Sequence, residues 1–331
     1  GIMPKNRNLG YVCILLLNTL YFCMAKRAQS AISVAFNDRS LSQKSKAAKT
    51  TMNLFESMQR EIETATGETC DFESSRAGWG GGGGASVGSI LDKNSGNRYF
   101  YKCSSSSKFD MLKAEFEGIE AMYKTETIKV PQPVCCGLSE KDDAFVVFEY
   151  LDIGGRGSAA KMGEQLAAMH RFSSPNSKFG FHIDNTIGAT PQPNCWEDTW
   201  AEFYDKRRLN YMLERCEGMG ASFKNKKQLR EKVYEILSAH DPVPSLVHGD
   251  LWSGNKGFCD GEPVIFDPAT FYGDREVDLA MTYLFGGFGG DFYSAYNQAW
   301  PIPAGFDKRK TIYNLYHILN HYVLFGGGYL F

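Results

Sequence analysis

The stretch 248–255, His-Gly-Asp-Leu-Trp-Ser-Gly-Asn, places a carboxylate and an amide five residues apart. The carboxylate of Asp250 is suited to accept a proton from a hydroxyl nucleophile. The amide oxygen of Asn255 is suited to hold a hard cation such as Mg²⁺ on the other side of a phosphate. This division of roles is the chemistry of phosphoryl transfer. We therefore predict Asp250 as the general base and Asn255 as a metal ligand.

A second acidic residue, Asp267, follows the apolar stretch 264–266 and precedes Pro268. Kinases present their main Mg²⁺ ligand on such a strand end, shortly after a catalytic loop of the pattern His-x-Asp-Leu-x-x-x-Asn. The stretch 248–255 matches that pattern, with glycine where protein kinases have arginine. An aspartate before proline is often only a turn residue. The short separation of Asp267 from Asn255 in the sequence nevertheless favours a metal-binding role.

A lysine and a glutamate in the first half of the chain have the spacing of a phosphate-gripping pair. Lys102 lies near the end of a predicted strand, 98–103, and Glu115 lies in a predicted helix, 109–123. In kinases a strand lysine holds the α- and β-phosphates, and a helix glutamate orients it. Because such a pair is common by chance, its assignment depends on the catalytic stretch that follows.

The sequence on either side of this lysine also fits nucleotide binding. The glycine run 80–84 permits close approach of backbone to phosphates, although a flexible linker would have the same composition. The predicted phosphate-contacting residues are Gly82, Gly83, Gly84, Ala85 and Ser86. A predicted buried strand, 144–150, leads into the connection between lobes. There we expect adenine to pair with the backbone of Glu149, Tyr150 and Leu151.

The elements that must position these residues change in type along the chain. Strands predominate up to about residue 150, with a predicted helix at 52–66 and a turn at 94–97. After Ala159 the pattern is mainly helical, and loops are expected around Pro191, Pro244 and Pro268. This order predicts an α+β, two-lobed fold, with a small β-rich lobe at 52–150 and a larger helical lobe at 151–331.

The segment 1–51 differs in composition from the rest. Its apolar run, 11–25, follows Lys5 and Arg7 and resembles the h-region of a signal peptide. The Ser-, Ala- and Lys-rich stretch 26–51 has transit-peptide composition. Together they resemble the two-part plastid address of algae with secondary plastids. We predict a plastid location and no stable membrane association of the mature protein. The alternative is a signal anchor or a disordered tail, with a secretory or cytoplasmic location.

The overall composition argues against several classes of protein. A formal net charge of −2 over 331 residues gives no reason to expect a nucleic-acid partner. The nine cysteines have neither zinc-ligand spacing nor the pattern of a disulfide framework. We therefore expect reduced thiols in the core and on the surface.

Several separate stretches resemble the fructosamine kinase (ketosamine 3-kinase) family. The stretch 248–255 has Leu-Trp-Ser-Gly between His-Gly-Asp and Asn, which aminoglycoside and choline kinases usually lack. Further similar stretches are 180–196, 200–209, 272–281 and 313–329. The resemblance covers about residues 53–329 and is specific because independent loops agree.

The resemblance implies a protein-kinase-like small lobe and an aminoglycoside-phosphotransferase-like helical lobe, with ATP and Mg²⁺ as cofactors. It implies phosphorylation of the 3-hydroxyl of a ketoamine, either a small molecule or a sugar linked to a protein lysine. The unstable product then releases the amine. Trp252 is expected to stack against the sugar, with a core position as its alternative. His248 and Asp278 are expected to support the catalytic stretch.

Three features depart from the family pattern. Many members carry a cysteine in the glycine-rich loop that forms a disulfide between subunits, but residues 84–86 read Gly-Ala-Ser. A homodimer is compatible with the resemblance, but that disulfide is not expected here. Asp274 stands where histidine is more usual. The family's last helix usually continues beyond the position of Phe331, so a truncated C-terminus is one interpretation.

Two other classes of function stay open at this stage. One is a kinase for another small alcohol, such as choline or an aminoglycoside. The other is a nucleotide-binding regulator that keeps the fold without catalysis. The regulator is disfavoured because the predicted base, the lysine and both metal ligands are all present.

Overall fold

The computed structural model describes residues 44–73 and 85–326, with side chains in 54–72 and 85–326. Within these ranges the chain forms a small lobe built on one sheet and a larger, mainly helical lobe. The predicted α+β, two-lobed fold is therefore confirmed. Most of the predicted address and the three glycines Gly82, Gly83 and Gly84 lie outside the described residues.

The small lobe is built on a five-stranded antiparallel sheet. Its strands are β1 (Phe72–Glu73), β2 (Ser86–Asp92), β3 (Arg98–Ser105), β4 (Pro133–Leu138) and β5 (Asp143–Glu149). Their order in the sheet is β1-β2-β3-β5-β4. Its helices are α1 (Lys44–Thr66) and α2 (Phe109–Tyr123), with a 3₁₀ turn at Ser106–Lys108. Helix α2 has the predicted bounds. Helix α1 begins before the predicted residue 52, because the lysines and alanines of 44–51 favour a helix without adding an apolar stripe.

Strand β3 directs alternate side chains to opposite faces of the sheet. Tyr99 and Tyr101 are buried in a cluster with Met58, on the face that α1 covers. Phe100 packs on the other face, which α2 covers. Lys102 shares the face of Phe100, so the period of the strand directs this lysine towards α2.

The predicted turn at 94–97 closes the β2–β3 hairpin around a buried carboxylate. Asp92 is 1% exposed. Its oxygens accept hydrogen bonds from the N–H groups of Asn94 (3.1 Å) and Ser95 (3.2 Å). An aspartate that accepts from the next residues in this way is a common turn device, and it stabilises the hairpin that leads into β3.

The large lobe consists of helices joined by short two-stranded sheets. Its helices are α3 (Ala159–His170), α4 (Trp200–Phe203), α5 (Asn210–Gly218), α6 (Lys226–Ser238), α7 (Glu276–Leu284), α8 (Gly290–Ala299) and α9 (Phe306–Phe325). A π-helical segment, Tyr204–Leu209, joins α4 to α5. The strand pairs are β6 (Asn185–Ile187) with β7 (Thr190–Gln192), β8 (Ser245–Val247) with β11 (Phe271–Gly273), and β9 (Lys256–Cys259) with β10 (Glu262–Ile265).

One local prediction in this lobe is wrong. Pro191 was expected in a loop, but it lies in β7 and pairs with Thr186 across the β6–β7 hairpin. Strands of three residues are too short for alternation to reveal them, and proline argues against a strand.

The core of the large lobe comprises two adjoining apolar clusters. One surrounds Trp200, Phe203 and Phe271. The other lies between α3 and α8 and continues into the small lobe against α2 and β5. Gly163 lets these two helices approach closely, since a Cβ there would lie 2.3 Å from the carbonyl oxygen of Phe292. Across the described part of the chain, no helix has the length and apolar character needed to cross a membrane.

Candidate active site

The predicted catalytic stretch, 248–255, connects β8 to β9 and turns sharply at Gly249. This glycine has a φ of +81°, a conformation that side chains disfavour. A Cβ there would lie 2.2 Å from the carbonyl oxygen of Ala269, closer than real contacts allow. The close crossing of two loops therefore explains the glycine at the position where protein kinases carry arginine.

A buried carboxylate on α7 holds the start of this stretch. Asp278 is fully buried. Its two oxygens accept hydrogen bonds from the N–H groups of His248 (2.7 Å) and Gly249 (2.8 Å). Burial alone would raise the pKa of Asp278, but the hydrogen bond from His170 and the neighbouring histidines outweigh burial and lower it. The ionised carboxylate fits the bracing role predicted for Asp278.

The His248 imidazole joins the catalytic stretch to the predicted metal-binding segment. Its Nε2 donates to the carbonyl oxygen of Phe266 (2.9 Å), and its Nδ1 accepts from the N–H of Asp250 (3.2 Å). Burial lowers the pKa of His248, so the ring is neutral. Both ring nitrogens are engaged within the protein, which fits a supporting role and leaves proton transfer to Asp250.

Asp250 and Asn255 are held together by the asparagine amide. The Nδ2 of Asn255 donates to the main-chain oxygen (2.9 Å) and to Oδ2 (3.2 Å) of Asp250. It also lies 3.3 Å from the carbonyl oxygen of Asp267. The amide nitrogen is thus used within the protein, and the amide oxygen is the group left for a cation.

Burial raises the pKa of Asp250 to about 7. The hydrogen bond from Asn255 opposes this shift, while the charges of Asp267 and Asp278 add to it. A carboxylate with a pKa near neutrality is a stronger base than an ordinary aspartate, and it is still half ionised at pH 7. These properties suit it to take a proton from an alcohol.

Lys102 bridges two carboxylates from different lobes. Its Nζ lies 2.7 Å from Oε1 of Glu115 on α2 and 2.7 Å from Oδ1 of Asp267. Its side chain is 12% exposed. Burial alone would lower the pKa of Lys102, but the charges of Glu115 and Asp267 raise it overall. The predicted Lys102–Glu115 pair is therefore present, and Asp267 joins it from the large lobe.

Asp267 has a left-handed backbone. Its φ is +56°, in the left-handed region that residues other than glycine rarely occupy. Its side chain is 50% exposed, so the carboxylate is accessible beside the buried Asn255. Carboxylate and amide oxygens are the hard ligands that Mg²⁺ prefers. The donor set of Asp267 and Asn255 therefore fits that ion.

Comparison with known proteins places this arrangement in a family. The family model described as fructosamine kinase matches residues 54–331. The chain belongs to the fructosamine kinase family. It is therefore a phosphotransferase with a hydroxyl group as acceptor, and the protein-kinase-like fold is confirmed.

Individual relatives agree with this membership. A probable ketoamine kinase of Synechocystis sp. is 48% identical over 235 residues, which is 70% of this chain and 79% of that protein. The chloroplastic protein-ribulosamine 3-kinase of Arabidopsis thaliana is 41% identical over 254 residues, which is 75% of this chain and 77% of that protein. A crystal structure assigned as a fructosamine-3-kinase from Haemophilus somnus has a TM-score of 0.75 at 29% identity, covering 82% of this chain and 92% of that one.

The predicted adenine-binding segment of this fructosamine kinase family member lies where β5 ends. The N–H of Glu149 donates to the carbonyl of Gln132 (2.8 Å), and that of Tyr150 donates to the carbonyl of Arg98 (3.1 Å). Neither is available to a nucleotide. Within the described residues, no hydrogen bond engages the N–H of Leu151. It is the remaining candidate donor for adenine in this segment.

The glycine-rich loop is described only at its end. Ala85 is buried, and Ser86 is the first residue of β2. Ser86 pairs with Cys103, the neighbour of Lys102 on β3. The end of the predicted phosphate loop is therefore adjacent to the predicted phosphate-binding lysine.

Trp252 is partly exposed within the catalytic stretch and belongs to neither core cluster of the large lobe. Its ring packs edge-on against Phe285, with centroids 5.8 Å apart. Gly254 leaves room for it, because a Cβ there would lie 2.3 Å from the indole ring. This placement argues against a core position, and the sugar contact stays a prediction.

Sequence reasoning missed a supporting residue, His170 at the end of α3. Its Nε2 lies 3.0 Å from Oδ2 of Asp278, and its Nδ1 lies 2.8 Å from the hydroxyl of Tyr296. All three side chains are buried. Because His170 lies 108 residues from Asp278 in sequence, no local pattern could have revealed the contact.

Proposed function

We propose that this protein transfers the γ-phosphate of ATP to the 3-hydroxyl of a ketoamine, free or attached to a protein lysine. The observation that carries the proposal is the convergence of Asp250, Asn255, Asp267 and Lys102 at the junction of the lobes. Family membership supports a ketoamine as acceptor. The names of the cyanobacterial and Arabidopsis relatives, a ketoamine kinase and a protein-ribulosamine 3-kinase, point to the same class of substrate.

In this mechanism the small lobe holds the nucleotide. Leu151 offers its N–H to adenine, the loop ending at Ser86 covers the phosphates, and Lys102 neutralises their charge. Glu115 keeps the lysine in place through their 2.7 Å ion pair. We place the division between the lobes at residues 150 and 151, directly after β5.

The large lobe supplies the acceptor chemistry. Asp267 and Asn255 would hold Mg²⁺, which when bound neutralises charge on the phosphates. Asp250 accepts the proton of the sugar hydroxyl as the hydroxyl oxygen bonds to the γ-phosphorus and the bond from that phosphorus to ADP breaks. Asn255 orients the Asp250 carboxylate through its Nδ2. Because phosphoryl transfer has a loose transition state, this positioning and charge compensation supply most of the catalysis.

A substrate panel tests the proposal directly. The full chain would be assayed for ATP consumption with Mg²⁺ and ribulosyl-, fructosyl- or erythrulosyl-lysine, choline or an aminoglycoside. We expect turnover with ketoamines alone. Turnover only with choline or the aminoglycoside would assign a different acceptor. Nucleotide binding without turnover on any acceptor would favour the alternative of a nucleotide-binding regulator that lacks catalysis.

Trp252 provides a test of acceptor binding. We expect Trp252→Ala to raise the KM for the ketoamine several-fold, up to about tenfold, because an aromatic contact of this kind contributes about 0.5–1.5 kcal/mol. The KM for ATP should stay close to that of the wild type. Trp252→Phe keeps an aromatic face and is the matched control. Equal changes in both KM values would rule out a specific role in sugar binding.

We further propose that residues 1–51 direct the protein to a plastid. Their signal- and transit-like composition and the chloroplastic label of the Arabidopsis relative support this location. Residues 1–51 fused to a fluorescent protein, expressed in an alga with a secondary plastid, should give plastid fluorescence. The matched fusion of residues 52–331 should not enter the organelle. Cytosolic signal from the 1–51 fusion would contradict the proposal.

A further inference from the structure

The segment 266–270, which carries Asp267, has its backbone held by side chains from two separate parts of the chain. On one side, Nε2 of His248 donates to the carbonyl of Phe266 (2.9 Å). Nδ2 of Asn255 lies 3.3 Å from the carbonyl of Asp267 itself. Both donors belong to the catalytic stretch.

On the other side, the β6–β7 hairpin holds two further carbonyls. Nε2 of Gln192 donates to the carbonyl of Ala269 (3.1 Å), and Nδ2 of Asn185 donates to the carbonyl of Thr270 (2.8 Å). Gln192 is fully buried and Asn185 is 8% exposed. The hairpin has no part in the mechanism above, although it lies within a stretch that resembles the family.

The orientation of these two amides is fixed by a buried network. The Oε1 of Gln192 accepts from the hydroxyl of Tyr316 (2.7 Å), so its Nε2 must face the segment. The Oδ1 of Asn185 accepts from Gln192 (2.8 Å) and from Asn194 (2.9 Å). Arg208 in turn donates to Oδ1 of Asn194 (2.7 Å). The three amides have all their hydrogen-bonding groups engaged, although Nε of Arg208 is buried without a partner. Buried amides that are fully hydrogen-bonded in this way favour one arrangement.

The backbone of Asp267 gains from such support. A φ near +56° is disfavoured for residues other than glycine, although less for aspartate than for most of them. The four carbonyl contacts surround this residue on both sides in sequence. Together with the main-chain hydrogen bonds from the N–H of Phe266 to Asn255 (3.1 Å) and from the N–H of Ala269 to His248 (2.8 Å), they hold the backbone that carries its carboxylate.

We propose that Gln192 and Asn185 are positioning residues for the metal-binding carboxylate of Asp267. They act through the backbone of segment 266–270. The inference rests on the proposed function in one respect, the binding of Mg²⁺ by Asp267. Partners that hydrogen-bond a metal ligand directly typically contribute about 10–100-fold to metal affinity, so for residues that act through the backbone we expect the lower end of that range.

The test replaces Gln192 with methionine, which keeps the length of the side chain and removes both N–H donors. Mg²⁺ would be titrated into the full-length protein saturated with a non-hydrolysable fluorescent ATP analogue. We expect the apparent Mg²⁺ affinity of Gln192→Met to fall about tenfold. Affinity for the analogue without metal should be unchanged. In turnover assays the Mg²⁺ requirement should rise while the KM for the acceptor at saturating Mg²⁺ stays constant.

Two further variants keep the test decisive. Asn185→Ala should shift the Mg²⁺ affinity in the same direction and replaces Gln192→Met if that variant fails to fold. Tyr204→Phe is the matched control. It removes another buried hydrogen bond of the large lobe, from the tyrosine hydroxyl to the carbonyl of Ile312 (2.6 Å). We expect this control to lower the melting temperature without changing Mg²⁺ affinity.

The outcomes separate this inference from the proposed function. Wild-type Mg²⁺ affinity in folded Gln192→Met and Asn185→Ala would overturn the inference, even if ketoamines are phosphorylated. An equal loss of affinity in Tyr204→Phe would also overturn it. A specific loss of Mg²⁺ affinity would support it, even if the wild type phosphorylates no ketoamine and the proposed function fails.

Discussion

The Asp250→Asn variant is expected to lose turnover by about 10²–10⁴-fold, the usual cost of removing a general base. An amide has nearly the shape of the carboxylate but cannot accept the proton of the sugar hydroxyl. Its oxygen can still accept the hydrogen bond that Asn255 donates to Asp250, so the catalytic stretch should keep its conformation. Initial rates with a ketoamine and displacement of a fluorescent nucleotide would measure the two effects separately. Nucleotide affinity should equal that of the wild type.

The same carboxylate predicts the acid limb of the pH profile. Burial raises the pKa of Asp250 to about 7, and a general base must be ionised to act. With both substrates far below saturation, kcat/KM should therefore fall as the pH drops through about 7. The residual rate of Asp250→Asn should lack this limb. An acid limb near the ordinary aspartate range would contradict the raised pKa of Asp250. Near-wild-type turnover in the variant would contradict its assignment as base.

The sequence predicts those parts of the fold and site that depend on local spacing. Apolar residues at helical intervals give the bounds of α2, and alternation along β3 directs Lys102 towards Glu115. The stretch 248–255 shows that His248, Asp250 and Asn255 lie in one loop. Each of these features can be recognised from the sequence of a single short element or loop.

Other parts of the site depend on contacts between distant residues, which local spacing does not encode. The ion pair of Lys102 with Asp267 spans 165 positions. The left-handed backbone of Asp267 reflects the side chains that surround it, since an aspartate before proline indicates only a turn. The β6–β7 hairpin was missed because its strands are short and one contains Pro191. The amides that hold segment 266–270 were missed with it.

The Lys102→Met variant should lose both stability and nucleotide binding. Its ammonium is the 2.7 Å partner of Glu115 and of Asp267, and the glutamate side chain is only 19% exposed. Breaking a buried pair by removing one partner costs about 3–5 kcal/mol, because an uncompensated charge remains. Because Asp267 is half-exposed, solvent screens its charge. We therefore expect the loss in free energy of unfolding, measured with denaturant, to lie at the lower end of that range. Loss of the charged contact to phosphate should weaken ATP binding about 10- to 100-fold.

A double variant separates the two losses. In Lys102→Met/Glu115→Gln the buried negative charge is removed, so more than half of the lost free energy of unfolding should return. Nucleotide affinity should stay low, because no cation faces the phosphates. Lys113→Met is the control, because Lys113 lies on the same helix as Glu115. Lys113 forms a 3.6 Å ion pair with Glu117, and its side chain is 50% exposed. This pair should contribute less than about 1 kcal/mol to the free energy of unfolding. Recovery of ATP binding in the double variant would mean that the lysine acts only by compensating Glu115. Unchanged stability in Lys102→Met would mean that the bridge between the lobes contributes nothing to the fold.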